Sequence, residues 1–211
     1  MPPPALPSFR TGRYAWLAVC CTLIWVSLCA SASVQRYGFD PQPWLWQQAG
    51  GWRHGLWTPW TAPLINLTPF HAFGNVLALA AIGVLGYAVN ARSREALALL
   101  IAWPLSTLGL LLWPALGWYA GLSGVIHAAA AITAWRALTQ RGARGIGALL
   151  AVGLLIKLLV ERGWTTPVAF DSYWGFNVVY AAHLSGAVIG LIAAAGLDGA
   201  VRVLCHLRRD G

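Results

Sequence analysis

Residues 121–127 read Gly121-Leu122-Ser123-Gly124-Val125-Ile126-His127. A hydroxyl stands between two glycines, and an imidazole follows one helical turn later, in a run that is otherwise apolar. What the pair means depends on where the run lies. The stretch around it, about 120–138, has the length and apolarity of a membrane span, which needs about 20 residues. Five further runs qualify, at about 14–33, 70–90, 95–113, 146–162 and 176–197. Composition agrees, because 58% of the 211 residues are hydrophobic and only 9% are charged. A soluble domain carries about 25% charged residues. The expected fold class is all-α: a polytopic membrane protein with a six-transmembrane-helix bundle over residues 14–200. A tail at 1–13, an outer loop at 34–69 and a tail at 201–211 complete the chain.

Several features test this layout. Pro104 should kink the third span, and Lys157 in the fifth must snorkel or face protein. Arg10 and Arg13 precede the first run, and Ala30-Ser31-Ala32 resembles a signal-peptidase site. The apolar run from Tyr14 to Ala30 exceeds the usual signal core of about 7–15 residues, so it reads as a retained span. MPPPALP at the start reads as a disordered tail. Cys20, Cys21, Cys29 and Cys205 show no metal-binding spacing and read as small apolar filler.

Six spans put both termini on one side. Ten of the fourteen basic residues then share that side: Arg10, Arg13, Arg92, Arg94, Arg136, Arg141, Arg144, Arg202, Arg208 and Arg209. That asymmetry places both termini in the cytoplasm. It also accounts for the net charge of +8 as a topology signal, so no nucleic-acid partner is expected. The outer loop holds Trp44, Trp46, Trp52, Trp57 and Trp60, residues that favour the headgroup layer of the bilayer.

With this topology, spans two, four and six enter from the outer face. His71 and Asn75 open span two, Ser123 and His127 open span four, and His183 falls about two turns into span six. At 1.5 Å per residue, all five lie within roughly 10 Å of the outer boundary. Polar groups at that depth need partners and are functional candidates. His71 and Asn75 share a helix face at i, i+4, and His127 leans back toward Ser123. Gly186 and Gly190 form a GxxxG pair, and Gly121 and Gly124 flank the serine; small residues of this kind let backbones pack closely. Close approach of spans four and six would bring His183 to Ser123.

A serine becomes a nucleophile when an adjacent base takes its proton, and histidine suits that role near neutral pH. The oxyanion then needs donors: the Asn75 amide, the His71 ring and the unpaired N–H groups at the start of span four. Asp40, Glu95, Glu161, Asp171, Asp198 and Asp210 all fall in loops or at span ends. The expectation is therefore a Ser123–His183 dyad without a carboxylate, and no metal or cofactor. H-E-x-x-H is absent, and no two carboxylates share the polar layer. From the residues alone, an interhelical packing network or a transport path remains the alternative to catalysis.

At this point the chain resembles the rhomboid family of intramembrane serine proteases. The matching pieces are Trp52-Arg53 in the outer loop, His71-x-x-x-Asn75, Gly121-Leu122-Ser123-Gly124, and Ala182-His183 with Gly186 and Gly190. Their order covers nearly the whole chain. The resemblance implies Ser123 as nucleophile and His183 as base, with His71, Asn75 and the Ser123 N–H around the oxyanion. It also implies a cavity open to the outer side and gated by span five and the loop at about 163–175. Trp164, Phe170, Tyr173 and Trp174 are that loop's candidate cap residues.

Ordinary bacterial rhomboids often carry a tyrosine four residues after the serine, stacked on the base; this chain has His127. With the short six-span layout, that residue makes the chain similar to the rhombosortase subgroup. The subgroup implies membrane-anchored substrates ending in a Gly-Gly-containing motif, one transmembrane helix and a basic end. It implies an inner-membrane location. His127 has three readings: it orients or stacks on His183, it is itself the base, or it contacts substrate or packs.

Overall fold

The computed structural model describes residues 12, 14–47 and 55–210. Apart from Gly12, the tail expected at 1–13 lies outside the described residues, as does the Trp52-Arg53 pair. The helices are α1 Ala15–Tyr37, α2 Thr58–Thr61, α3 Pro69–Ala88, α4 Ser93–Leu108, α5 Ser123–Thr139, α6 Arg144–Glu161 and α7 Tyr180–Asp210. Two small antiparallel pairs join the loops. β1 (Trp46–Gln47) ties the outer loop to β2 (Trp118–Tyr119) just ahead of α5. β3 (Ala169–Asp171) and β4 (Phe176–Val178) form a hairpin between α6 and α7.

Among the described residues, five helical runs are long and apolar enough to cross a membrane: Ala15–Tyr37, Pro69–Ala88, Ser93–Leu112, Arg141–Glu161 and Tyr180–Cys205. The expected fourth span differs. α5 has 17 residues, a rise of about 25 Å, which falls short of a hydrocarbon core of about 30 Å. It is the buried axis of the bundle, packed on α3, α4, α6 and α7. Its alanine run, Ala128 to Ala131, is buried, as suits a helix enclosed on all sides. The sixth span also starts later than expected, because residues 176–178 are the β4 strand. His183 therefore lies in the first turn of α7 rather than two turns in.

Glycine sets the closest helix contacts. A Cβ on Gly186 would lie 2.0 Å from the Gly124 carbonyl oxygen, and one on Gly190 would lie 2.5 Å from that of Ala128. Lipid tails are as apolar as leucine, so helices in a bilayer associate through such packing and through hydrogen bonds. α1 meets α3 in the same way. The Trp16 ring covers Gly86, Cys20 covers Gly83, and Trp16 Nε1 donates to the Gly83 carbonyl at 3.1 Å. Ser31, within the sequence that resembled a cleavage site, is buried and bonded to Asn66. α1 is thus built into the bundle.

α4 continues through Pro104 and tightens into a 3-10 turn at Gly109–Leu112. Glu95 caps its start by accepting from the Arg92 backbone N–H at 2.8 Å. At that end Arg94 pairs with Asp198 of α7, and Arg202 joins the same carboxylate at 2.6 Å. These charges lie at the opposite end of the bundle from Ser123.

Candidate active site

The local sequence dictates how α3 and α5 begin. Pro69 is pre-set for the first helical position, and the Thr68 side chain accepts the His71 backbone N–H at 3.2 Å. His71 is thereby fixed in the first turn. Before α5, Gly121 has φ +118°, a conformation that side chains disfavour. A Cβ there would lie 2.9 Å from His71 Cε1. Gly121 was expected at the interface of spans four and six, but it packs on the His71 ring of α3; Gly124 makes the contact to α7. The buried Tyr119 hydroxyl donates to the Gly121 carbonyl at 2.5 Å and clamps this turn. Burial holds the Tyr119 phenol well above its ordinary pKa, which keeps it a donor.

Ser123 is half-buried on the wall of a cavity of about 590 Å³, together with His71, Trp118, Phe170, Phe176 and Val178. Its hydroxyl has no hydrogen-bond partner among the described residues, and its N–H belongs to the unpaired first turn of α5. The β3–β4 hairpin roofs the cavity. Trp174 lies over Gly74 and 5.2 Å from the Phe70 ring, while Phe176 meets His71 at 4.8 Å. Of the expected cap residues, Trp174, Tyr173 and Phe170 belong to this roof, with Tyr173 against Phe70 at 5.5 Å. Trp164 neither lines the cavity nor makes a ring contact with this cluster among the described residues.

His183 is buried in the first turn of α7, its ring stacked on His127 at 4.1 Å with the planes 8° apart. His127 leans back as its helix position requires, but it reaches the Ser123 carbonyl, not the hydroxyl: Nδ1 donates to that oxygen at 2.7 Å. The expectation of a layer without an acid needs correction. Glu161, the last residue of α6, places Oε2 2.8 Å from His183 Nδ1 and Oε1 2.7 Å from Lys157 Nζ. Lys157 thus has a protein partner within its span. In the sequence Glu161 is one of several acids at span ends. Its chain distance of 22 residues from His183 gave no helical spacing to detect.

His71 and Asn75 meet as their i, i+4 spacing predicts, with Asn75 Nδ2 3.0 Å from His71 Nε2. Asn75 Nδ2 also donates to Asn66 Oδ1 at 2.6 Å. Both amide hydrogens are therefore used, so Asn75 fixes the His71 tautomer and leaves His71 Nδ1–H free to act as a donor. Asn66, unnoticed in the sequence, is the hub of this end. Its side-chain amide donates to Ser27 and Ser31 at 2.9 and 3.2 Å, and its backbone carbonyl accepts from Gln35 at 2.8 Å. Asn66→Ala keeps its backbone bonds to Gln35 and Ser31 but should strand the Ser27 hydroxyl and the Asn75 amide, at about 1–3 kcal/mol for each one left unpaired. Thermal unfolding in detergent should show a clear loss of stability, and an unchanged melting curve would refute the hub role.

His127, Glu161 and His183 present ligand-type atoms within 4.8 Å of one another. Parallel imidazoles send their in-plane lone pairs side by side rather than toward one point, and Glu161 already serves His183 and Lys157. Glu161 and His183 form a hydrogen-bonded pair, and His127 joins it by ring stacking.

The arrangement offers a hydroxyl on a cavity wall, a buried imidazole anchored through one nitrogen, and ring and backbone donors around the same space. The Rhomboid domain family matches residues 53–198, a span that takes in all of these groups. No curated protein matches the chain. The family match covers well over half of the sequence and the helices that carry Ser123, His183, His71 and Asn75, and on that ground the chain belongs to the rhomboid family, whose members are intramembrane serine proteases.

Proposed function

We propose that this chain is an intramembrane serine endopeptidase of rhombosortase type. Ser123 is the nucleophile and His183 the general base. Ser123 Oγ adds to the scissile carbonyl as its proton passes to His183 Nε2, and the same nitrogen returns the proton to the leaving amine. His71 Nδ1–H and the Ser123 backbone N–H receive the oxyanion, with Asn75 holding His71 in the donating tautomer. Water, or an amine acceptor, then releases the acyl group from Ser123.

The observation that carries this reading is His183 Nε2. It is buried without a hydrogen-bond partner among the described residues, on a helix pressed against the start of the Ser123 helix. A packing histidine would leave that nitrogen at a cost; a base needs it open for the serine proton.

Two features favour the rhombosortase subtype. His127 stacks on the base, and the cavity is roofed by Phe170 and Phe176. A Gly-Gly segment has no side chains to clear those rings. The substrates are exported proteins with a Gly-Gly-containing C-terminal tail, a single transmembrane helix and a basic end. The basic-residue asymmetry supports an inner (cytoplasmic) membrane location in a bacterium, with both termini cytoplasmic and the site facing outward.

Co-expression with such a tail-anchored protein, followed by C-terminal mass measurement, tests the proposal. A new C-terminus near the Gly-Gly motif, with water or an amine added, is the expected product. Cleavage confined to substrates lacking that motif would leave a general rhomboid protease. An unchanged mass for every transmembrane substrate would remove the protease reading.

A further inference from the structure

Glu161 lies where neither the family match nor the sequence placed a functional group. Its carboxylate and the His183 ring are about equally enclosed, with side chains 10% and 6% exposed. A carboxylate buried to that degree is stable only with partners, and it has two, Lys157 and His183. Facing a carboxylate, His183 Nδ1 carries the hydrogen and Nε2 is left as the lone-pair nitrogen.

The helix that supplies Glu161 packs along α5 and touches α7 only at one end. Gly147 is the one buried residue of α6, lying against Ala137 and Leu138 of α5 at the end far from the site. At the near end, α6 meets α7 through Glu161–His183 and through Gly163, where a Cβ would lie 2.5 Å from the Tyr180 carbonyl oxygen. Between the two ends the half-buried Ala151, Leu154 and Leu158 mark the face of α6 toward the bundle, while Leu149, Leu155 and Val160 on the outer face are exposed.

We propose that Glu161 is the positioning residue of the base: it holds His183 Nδ1–H, selects the tautomer with Nε2 open, and makes the base competent only while α6 is docked on α7. The inference rests on His183 being the base. Glu161 takes up no proton in the cycle; the Ser123 proton goes to Nε2, and the carboxylate stabilises the imidazolium so formed. Around His183 the titratable and charged groups are His127 from α5, Glu161 and Lys157 from α6, Tyr180 from α7 itself, and His71 from α3 within electrostatic reach. Among the described residues, Glu161 is the carboxylate in contact with His183; Asp171 stands behind Tyr180, whose hydroxyl donates to it at 3.3 Å.

The test is pH-dependent labelling of the full chain in detergent by a fluorophosphonate probe, comparing wild type, His183→Ala, Glu161→Gln, Glu161→Asp and Lys157→Gln. Glu161→Gln should lower the maximal labelling rate by roughly 10²–10⁴ with little change in half-saturating probe concentration. Its acid limb should move to lower pH, because the imidazolium loses its counter-charge. Glu161→Asp should recover part of the rate. Lys157→Gln, which removes a cation and leaves the carboxylate, should move the limb to higher pH. This opposite shift separates positioning from a general loss of structure. Wild-type rate and limb in Glu161→Gln, or shifts of the same sign in both Gln variants, would overturn the inference. If wild type fails to label at Ser123, or His183→Ala labels normally, the nucleophile–base reading itself has failed.

Discussion

Ser123→Ala should fold, insert and purify as the wild type does, while losing cleavage and fluorophosphonate labelling by roughly 10⁴–10⁶-fold, the scale seen when a serine nucleophile is removed. The physical basis is that the Ser123 hydroxyl borders the cavity and carries no hydrogen bond among the described residues, so alanine strands no partner. His71→Ala should retain more activity, since one oxyanion donor is worth on the order of 10²–10³. His183→Ala should be as inactive as Ser123→Ala but less stable, because it leaves the buried Glu161 carboxylate with Lys157 alone. For the base, the decisive comparison is between His183→Ala and His127→Ala. If Ser123→Ala still processes a tail-anchored substrate, the nucleophile is misassigned. If His183→Ala is active and His127→Ala dead, the base must be reassigned.

The second large effect comes from a single methyl group. Gly186→Ala places a Cβ 2.0 Å from the Gly124 carbonyl oxygen, and the obstacle is backbone, not a side chain that can rotate away. α7 must back off from α5, which carries His183 away from Ser123. Overpacking of this kind costs about 1–3 kcal/mol, and a misplacement of about 1 Å at the chemistry can cost 10² in rate. We therefore expect a lower melting temperature together with at least a hundred-fold loss of cleavage. Gly196→Ala, on the same helix with open space around its Cβ, should be neutral in both. Equal behaviour of the two variants would show that the α5–α7 contact does not set the site.

Comparison of particular elements shows why some features were legible in the sequence. Spans of about 20 apolar residues follow from the thickness of the bilayer, and all but one are long helices here. The i, i+4 pairs His71–Asn75 and Ser123–His127 follow from helical geometry and make real contacts, although His127 reaches the serine carbonyl instead of the hydroxyl. The GxxxG pattern is legible as a close-packing surface because a glycine in a membrane helix leaves room that another backbone fills well, and Gly186 and Gly190 lie against the Gly124 and Ala128 carbonyls.

Other features had no local signature. The sequence by itself determined the membrane class, the helix order and the set of polar residues at one end, because hydrophobic length and helical period are local properties of the chain. Only the tertiary structure decided that α5 is a short buried axis, that Asn66 joins α1 to Asn75, and that Glu161 closes on His183. Those contacts join residues far apart in the chain through hydrogen bonds and backbone fit, and no periodicity in the sequence records which distant groups will meet.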